Sequence, residues 1–505
     1  MRPPRLPSSS GESETTETPD AAETAEAADA PDTLPDTLPD RLGGPRRAEE
    51  PEAPARPALR AVEDRPEPAA RPADDADSAR GTRGRAGDPI ARFWTFVEGG
   101  RAHTTFWMLF GSALALTVIG AVMVLSSSAI ETVGSTTTAY GLFLRQAMWA
   151  LVGFVGIFVV VLMPQRLLQR IAWPALIVTV LGLALVLSPL GHEVNGNRNW
   201  LQAGPINVQP AEFAKLALIV WAGSVLARKG TLVRQLHHAV IPVIFPGAAS
   251  ILLFIMIGRD LGTALIFGVI VAAVLFVAGT KLRYFVIAAS LGVLAAIIGV
   301  ITSPNRLARV SAWLNIGDAC EGSGDLCYQA QHGLYALASG GWWGVGLGQS
   351  RQKWNYIPEA ENDFIFTILG EELGLLGALT VLMLYAVLAI GMFRVAARAQ
   401  SRFVKITTLG IMAWVIGQTF INLGMVTGLL PVIGVPLPFI SYGGSSLTST
   451  LLAVGVVMSF AHRQRRLAPD PGQQTEPEHR NPDQLTHQHA EAEESAPVKR
   501  RTTTS

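Results

Sequence analysis

Cysteine is nearly absent from this chain: Cys320 and Cys327 are the only two among 505 residues. That excludes a cysteine metal cluster and leaves room for one intramolecular disulfide at most. Charge is scarce as well. Asp, Glu, Lys and Arg make up 16% of the chain, where an ordinary globular protein carries about 25%. The forty basic residues are cancelled by forty acidic ones, so no surplus of positive charge points to a nucleic acid. An apolar stretch behind the first methionine is also missing, and the start does not read as a signal peptide.

The deficit of charge belongs to the middle of the chain. Residues 1–100 and 466–505 are polar, rich in Pro, Ala, Glu and Arg and poor in aromatics. Such segments bury too little apolar surface to offset the entropy of ordering them, so both are expected to be disordered tails. Residues 101–465 hold ten apolar runs long enough, at about 17–25 residues, to cross a bilayer as helices. They centre on Phe106–Leu125, Ala147–Met163, Ile171–Leu187, Ala211–Ala227, Ala239–Ile257, Leu261–Ala278, Phe285–Ile301, Phe364–Met392, Ile406–Leu430 and Ser445–Ala461. Lipid offers the backbone no water, so a spanning segment is a helix or part of a closed barrel, and continuous apolar runs select helices. The expected fold is therefore all-α: a polytopic membrane protein with ten transmembrane helices and a long extracellular loop between the seventh and eighth. The fourth run is the weakest, because it opens with Glu212 and Lys215.

Lys and Arg set the sidedness of such a bundle. Basic residues precede the first run (Arg92, Arg101) and then follow alternate runs: Arg166 and Arg170, Arg228 and Lys229, Lys281 and Arg283, Arg394 to Lys405, and Arg463 to Arg466. All fall on one side if the ten spans are real, so both termini are expected in the cytoplasm. The opposite face receives "GHEVNGNRNWLQAGPINVQP" between runs three and four, and about sixty residues between runs seven and eight. Loops longer than about 12–15 residues are uncommon unless they have a function, so the chemistry is expected outside.

Five segments occur in a fixed order: "VNGNRNWL" with "QPAEFAKL", "DLGTAL", "GLGQSRQKWNYIPEAENDFIFTILGEELGLLG" and "GLLPVIGVPLPFISYGGSSL". Together they resemble the SEDS family (shape, elongation, division and sporulation proteins) from about residue 105 to 465. The "IPEAENDFIF" and "FISYGGSS" wording is similar to the division branch, with the elongation branch as the alternative. The tails resemble those of high-GC actinobacterial members. The resemblance implies a bacterial peptidoglycan glycosyltransferase that polymerises lipid II at the outer face of the plasma membrane, at the division septum. It also implies a complex with a class B penicillin-binding transpeptidase and other divisome proteins. The same bundle would serve a lipid II transporter or a non-catalytic scaffold. A transporter would often show paired broken helices in two halves; the one break legible here, near Pro436, has no visible counterpart in the first half.

Joining a sugar hydroxyl to an anomeric carbon that bears a lipid pyrophosphate needs a carboxylate to accept the hydroxyl proton. It also needs positive charge beside the leaving pyrophosphate, from Arg, Lys or a divalent cation such as Mg or Mn. The resemblance places the base in "RLARVSAWLNIGDACEGSGDLCYQAQHG". Counting forward from Asn315 favours Asp318; Asp325, beyond an inserted stretch, is the alternative. Most loop aspartates are merely solvated. Cys320 and Cys327, with six residues between them on the oxidising side, would close that inserted loop as a disulfide.

The other candidates are ionisable or irregular positions that lipid would penalise. Glu212 and Lys215 share one face of a helix and border the expected groove or simply pair. Asp260 suits a helix N-terminus. Glu359 and Asp363 stand at the mouth of the eighth run; Glu371 or Glu372, two turns inside, is expected to face a cation such as Lys353. Arg198, Arg351 and Lys353 are candidate diphosphate contacts, though Arg198 is one place removed from the family's usual arginine, and Asn199 stands there instead. In the proline-interrupted segment, Ser441, Gly443 and Gly444 are candidate head-group contacts or parts of a purely architectural turn.

Overall fold

A computed structural model describes residues 102–128, 139–194, 197–204, 206–302, 304–314, 324–353, 357 and 360–467. The N-terminal tail, and the C-terminal one beyond residue 467, lie outside them. Ten helices within these residues are long and apolar enough to cross a membrane. The first four are α1 (Ala102–Ser128), α2 (Ala139–Leu162), α3 (Gln165–Val186) and α4 (Pro210–Lys229). The fifth span, α5, comes in three pieces: Leu236–Pro242, a π-helical turn Val243–Ala248, and Ala249–Ile257. Next come α6 (Leu261–Ala278) and α7 (Leu282–Ile301). Two shorter helices, α8 (Pro304–Leu314) and α9 (Gly324–Ser339), occupy the long loop. The last spans are α10 (Ile365–Ala397), α11 (Arg402–Val426) and α12 (Gly444–Leu467).

A break in α5 and a sheet were not legible beforehand. Phe245 is extended within α5, beside Pro246. This break adjoins the basic side, whereas Pro436 lies towards the other, so the two are not a matched pair of the transporter kind. The segment between α3 and α4 forms an antiparallel meander of β1 (Gly191–Val194), β2 (Asn197–Ala203) and β3 (Ile206–Val208). Val194 pairs with Asn197 across a two-residue loop, and Asn-Gly is the sequence such a loop favours. Apart from this small sheet the described chain is helical, as expected for the membrane domain.

The fourth run, weakest by sequence, is the most enclosed of the first seven: α4 is buried along most of its length, while α7 has no buried residue among those described. The two facts have one cause. Residues that face lipid must be apolar, whereas a helix surrounded by protein can hold polar groups if they find partners. The basic residues Arg228 and Lys229 close α4, and Arg465 and Arg466 close α12, where they also suit the negative helix ends. The loops between α3 and α4, α5 and α6, α7 and α10, and α11 and α12 share the side opposite these groups, here called outer.

Glycine sets the closest approaches. Gly153 and Gly156 of α2 face Leu451 and Leu452 of α12, and Gly455 of α12 faces the backbone of Ile157. On the outer side the loop Gly340–Gly346 lies directly on α10. Val345 and Gly346 donate to the carbonyls of Glu371 and Glu372, and Leu375 donates to the carbonyl of Gly341. The dock needs Gly374 at φ +68, which breaks α10. A methyl group on Gly340 would lie 2.0 Å from the Gly370 carbonyl oxygen. Gly340→Ala is therefore expected to destabilise the protein by about 1–3 kcal/mol, read as a lower melting temperature in detergent. Gly268→Ala, which meets open space, should not lower it.

Candidate active site

The outer end of α4 carries the first of two buried ion pairs. Pro210 starts the helix, and this places Glu212 and Lys215 one turn apart on the same face. Both are 2% exposed. The Lys215 ammonium donates to Glu212 Oε1 at 2.8 Å and to Gln418 Oε1 of α11 at 3.2 Å, and it lies 5.0 Å from the centre of the Trp414 ring. Ser449 of α12 donates to the other Glu212 oxygen at 3.4 Å. Gln418 also accepts from Trp414 Nε1 at 2.9 Å and donates to the Pro436 carbonyl at 2.8 Å. Four segments thus converge on one lysine.

Asp260 adds a second acid nearby. It caps α6 by accepting from the Thr263 amide at 2.9 Å and the Thr263 hydroxyl at 2.7 Å, and its other partner is Asn199 Nδ2 at 2.8 Å. Asn199, one place after Arg198, is the residue of the sheet that reaches this cluster. Desolvation holds the Asp260 carboxyl above the ordinary carboxylate range; the Thr263 bonds and the Lys215 charge oppose the rise and Glu212 adds to it.

The second ion pair lies under the docked loop. Glu371 and Glu372 are each 1% exposed and Lys353 is 7% exposed. Lys353 donates to Glu372 Oε1 at 3.1 Å and to the Ser126 carbonyl at 3.2 Å. The Ser126 hydroxyl reaches both Glu372 oxygens at 2.7 Å. Glu371 is held differently: it accepts from the Ser350 hydroxyl and from the Arg351 amide, the latter at 3.0 Å. The adjacent glutamates therefore divide the work, one pairing with a cation and one with loop donors.

Between α11 and α12 the chain is irregular. Asn422 donates to the carbonyls of Asp363 and Val435 at 2.9 and 2.7 Å, and Tyr385 donates to the carbonyl of Pro438. Ser441 is buried and accepts from the Leu437 amide at 2.7 Å. Gly443 donates to Gln146 at 3.4 Å, and a side chain on Gly444 would meet the Trp149 ring at 2.2 Å. The contacts of these three residues close the turn and hold it against α2. Arg198 sits on β2, with its guanidinium on the Ser188 carbonyl, and Arg351 is exposed. Asp363 is half-buried and its carboxylate faces Gly434. Asp318, Cys320 and Glu359 lie outside the described residues; the backbone of Asp325 and Cys327 lies in the first turns of α9. Gln418, Asn422 and Ser126 were missed, because uncharged polar residues in spanning helices carry no warning in composition; Asn199 was noted only as replacing an arginine.

The match to known proteins spans this whole arrangement. The model of the cell cycle protein family that takes in FtsW, RodA and SpoVE matches residues 106–466. The chain belongs to this family. A family relative from Mycobacterium tuberculosis, named "Probable peptidoglycan glycosyltransferase FtsW", is 39% identical over 377 residues, covering 74% of this chain and 71% of the relative. Stage V sporulation protein E of Bacillus subtilis is 36% identical over 356 residues, covering 70% and 95%. Among solved family structures, the rod shape determining protein RodA of Thermus thermophilus is 27% identical with a TM-score of 0.52, covering 72% of this chain and 98% of that one. A chain of a peptidoglycan synthase complex that coordinates polymerisation and crosslinking is 27% identical with a TM-score of 0.57 and the same coverage.

Two outcomes test these clusters. Removing one partner of a buried pair strands the other charge, at a cost of about 3–5 kcal/mol. Lys353→Met should therefore lower the melting temperature sharply, and adding Glu372→Gln should restore most of the loss. Asp260 acts in the opposite sense. Because its folded pKa is raised, the folded state binds the proton more readily than the unfolded one, so stability falls as pH rises from the ordinary carboxylate value through the raised one. Asp260→Asn, which still caps the helix, should remove that part of the pH dependence of melting.

Proposed function

We propose that this chain is a division-type peptidoglycan glycosyltransferase that polymerises lipid II at the outer face of the plasma membrane. The observation that carries the reading is the family match through all ten spans, with FtsW relatives named as peptidoglycan glycosyltransferases among the most similar. The geometry supports it, since both buried lysine–glutamate pairs stand on the side that also receives the loop bearing Asp318. In this reading Asp318 accepts the proton of the attacking sugar hydroxyl, and the anomeric carbon exchanges its bond to pyrophosphate for a bond to that oxygen. Asp325 is the alternative base. Its backbone position opens α9, where a carboxylate also favours the helix N-terminus, and this gives Asp318 precedence.

Positive charge beside the pyrophosphate comes from Lys215 and Lys353, with Arg198 and Arg351 nearer the surface. A divalent cation, Mg or Mn, would add to it. Phosphate oxygens and water would be its chief ligands, as suits Mg. In this reading Glu359, Asp363, Ser441, Gly443 and Gly444 are assigned to head-group contacts. A Cys320–Cys327 disulfide would close the loop between the two aspartates. Both termini are assigned to the cytoplasm, from the basic residues on that side, and the site of action to the division septum. The partners are a class B penicillin-binding transpeptidase and other divisome proteins.

Purified protein, incubated with lipid II and its transpeptidase, should make glycan chains. Asp318→Ala should lose at least 100-fold in rate, since general-base catalysis contributes about 10²–10⁴-fold, whereas Asp325→Ala should retain most of it. Full polymerisation by both variants would overturn the assignment of the base. Movement of lipid II across a vesicle membrane without polymer would favour a transporter, and neither activity would favour a scaffold.

A further inference from the structure

The polar network around Lys215 has a hub that is not itself charged. Gln418 is 2% exposed and uses both ends of its amide: the oxygen accepts from Lys215 and Trp414, and the nitrogen donates to the Pro436 carbonyl. An amide can do this because it is donor and acceptor at once. A carboxylate could only accept, and an aliphatic side chain could do neither. Gln418 thus ties the ammonium group at the head of α4 to the irregular segment before α12.

Among the described residues, Lys215 has two hydrogen-bond partners. Its ammonium has three N–H groups; Glu212 and Gln418 take two. The indole ring of Trp414, 5.0 Å away, draws the positive charge from a third direction without accepting a conventional hydrogen bond. Glu212 alone would fix the ammonium at one point. With Gln418 it is fixed at two, so the direction of its remaining N–H is set by the chain.

We propose that Gln418 is a positioning residue: it orients the Lys215 ammonium, and registers it against the Pro436 segment, for contact with a diphosphate oxygen of the substrate. This rests on the reading that the chain polymerises a lipid-linked pyrophosphate sugar. Gln418 itself touches no reacting atom, so its effect passes through Lys215.

A double-mutant cycle in the full chain with its transpeptidase tests this, with polymerisation rate against lipid II concentration and melting temperature measured for each protein. Gln418→Met should lower the maximal rate at least tenfold while most of the protein stays folded at the assay temperature. In a Lys215→Met background the same change should cost less than twofold, because the group it positions is gone. Gln418→Glu keeps the shape and supplies a second test. Its carboxyl can donate to the Pro436 carbonyl only when protonated, so activity relative to wild type should rise as pH falls, at constant folded fraction. Equal losses from Gln418→Met in both backgrounds, or losses that track the folded fraction, would overturn the positioning role alone. A wild-type chain that makes no glycan would overturn the functional reading and this inference with it.

Discussion

A charge enclosed within a membrane bundle has only the chain itself for company. Placing one at the centre of a spanning helix costs about 2.5–3.5 kcal/mol on insertion scales, and stranding one inside protein costs more. The outer half of this structure is arranged around that constraint. Lys215 and Lys353 each have a carboxylate near 3 Å, and the carboxylate oxygens left over go to hydroxyls or backbone amides. Partners come from remote stretches: α4 relies on α11 and α12, and α10 relies on α1 and the loop before it.

The irregular segment between α11 and α12 obeys the same rule by other means. Its prolines remove donors and its carbonyls would be left bare. Asn422, Gln418 and Tyr385 supply those donors from neighbouring spans, while Gly120 and Gly262 let its backbone approach two further helices. A segment that cannot be helical is thereby held as firmly as one that is.

Much of this was legible from residue order. Continuous apolar runs gave ten spans, because lipid penalises polar groups, and the alternation of Lys and Arg puts the basic ends of those spans on one side. Glu212 with Lys215 and Glu372 with Lys353 stood out because charge inside an apolar run is conspicuous. Gln418, Asn422 and Ser126 did not, since a neutral polar residue fits a spanning helix by composition and its partners lie far away in sequence. The break in α5 at Phe245 was hidden for a related reason: proline marks where a helix can fail, and only the neighbouring backbone decides whether it does. The small sheet escaped because three short strands in a polar loop leave little periodicity.

The length of α10 exceeds what a crossing requires. The helix is broken at Gly374, and the stretch from Leu375 to Ala397 alone amounts to about 35 Å, enough to cross a hydrocarbon layer about 30 Å thick. The surplus lies above Gly374, where the loop with Trp342 and Trp343 is docked, and indoles of that kind settle among lipid head groups. Ile365–Leu373, on the outer side of that break, is thus not needed to cross the oil, and it is this short stretch that carries Glu371 and Glu372.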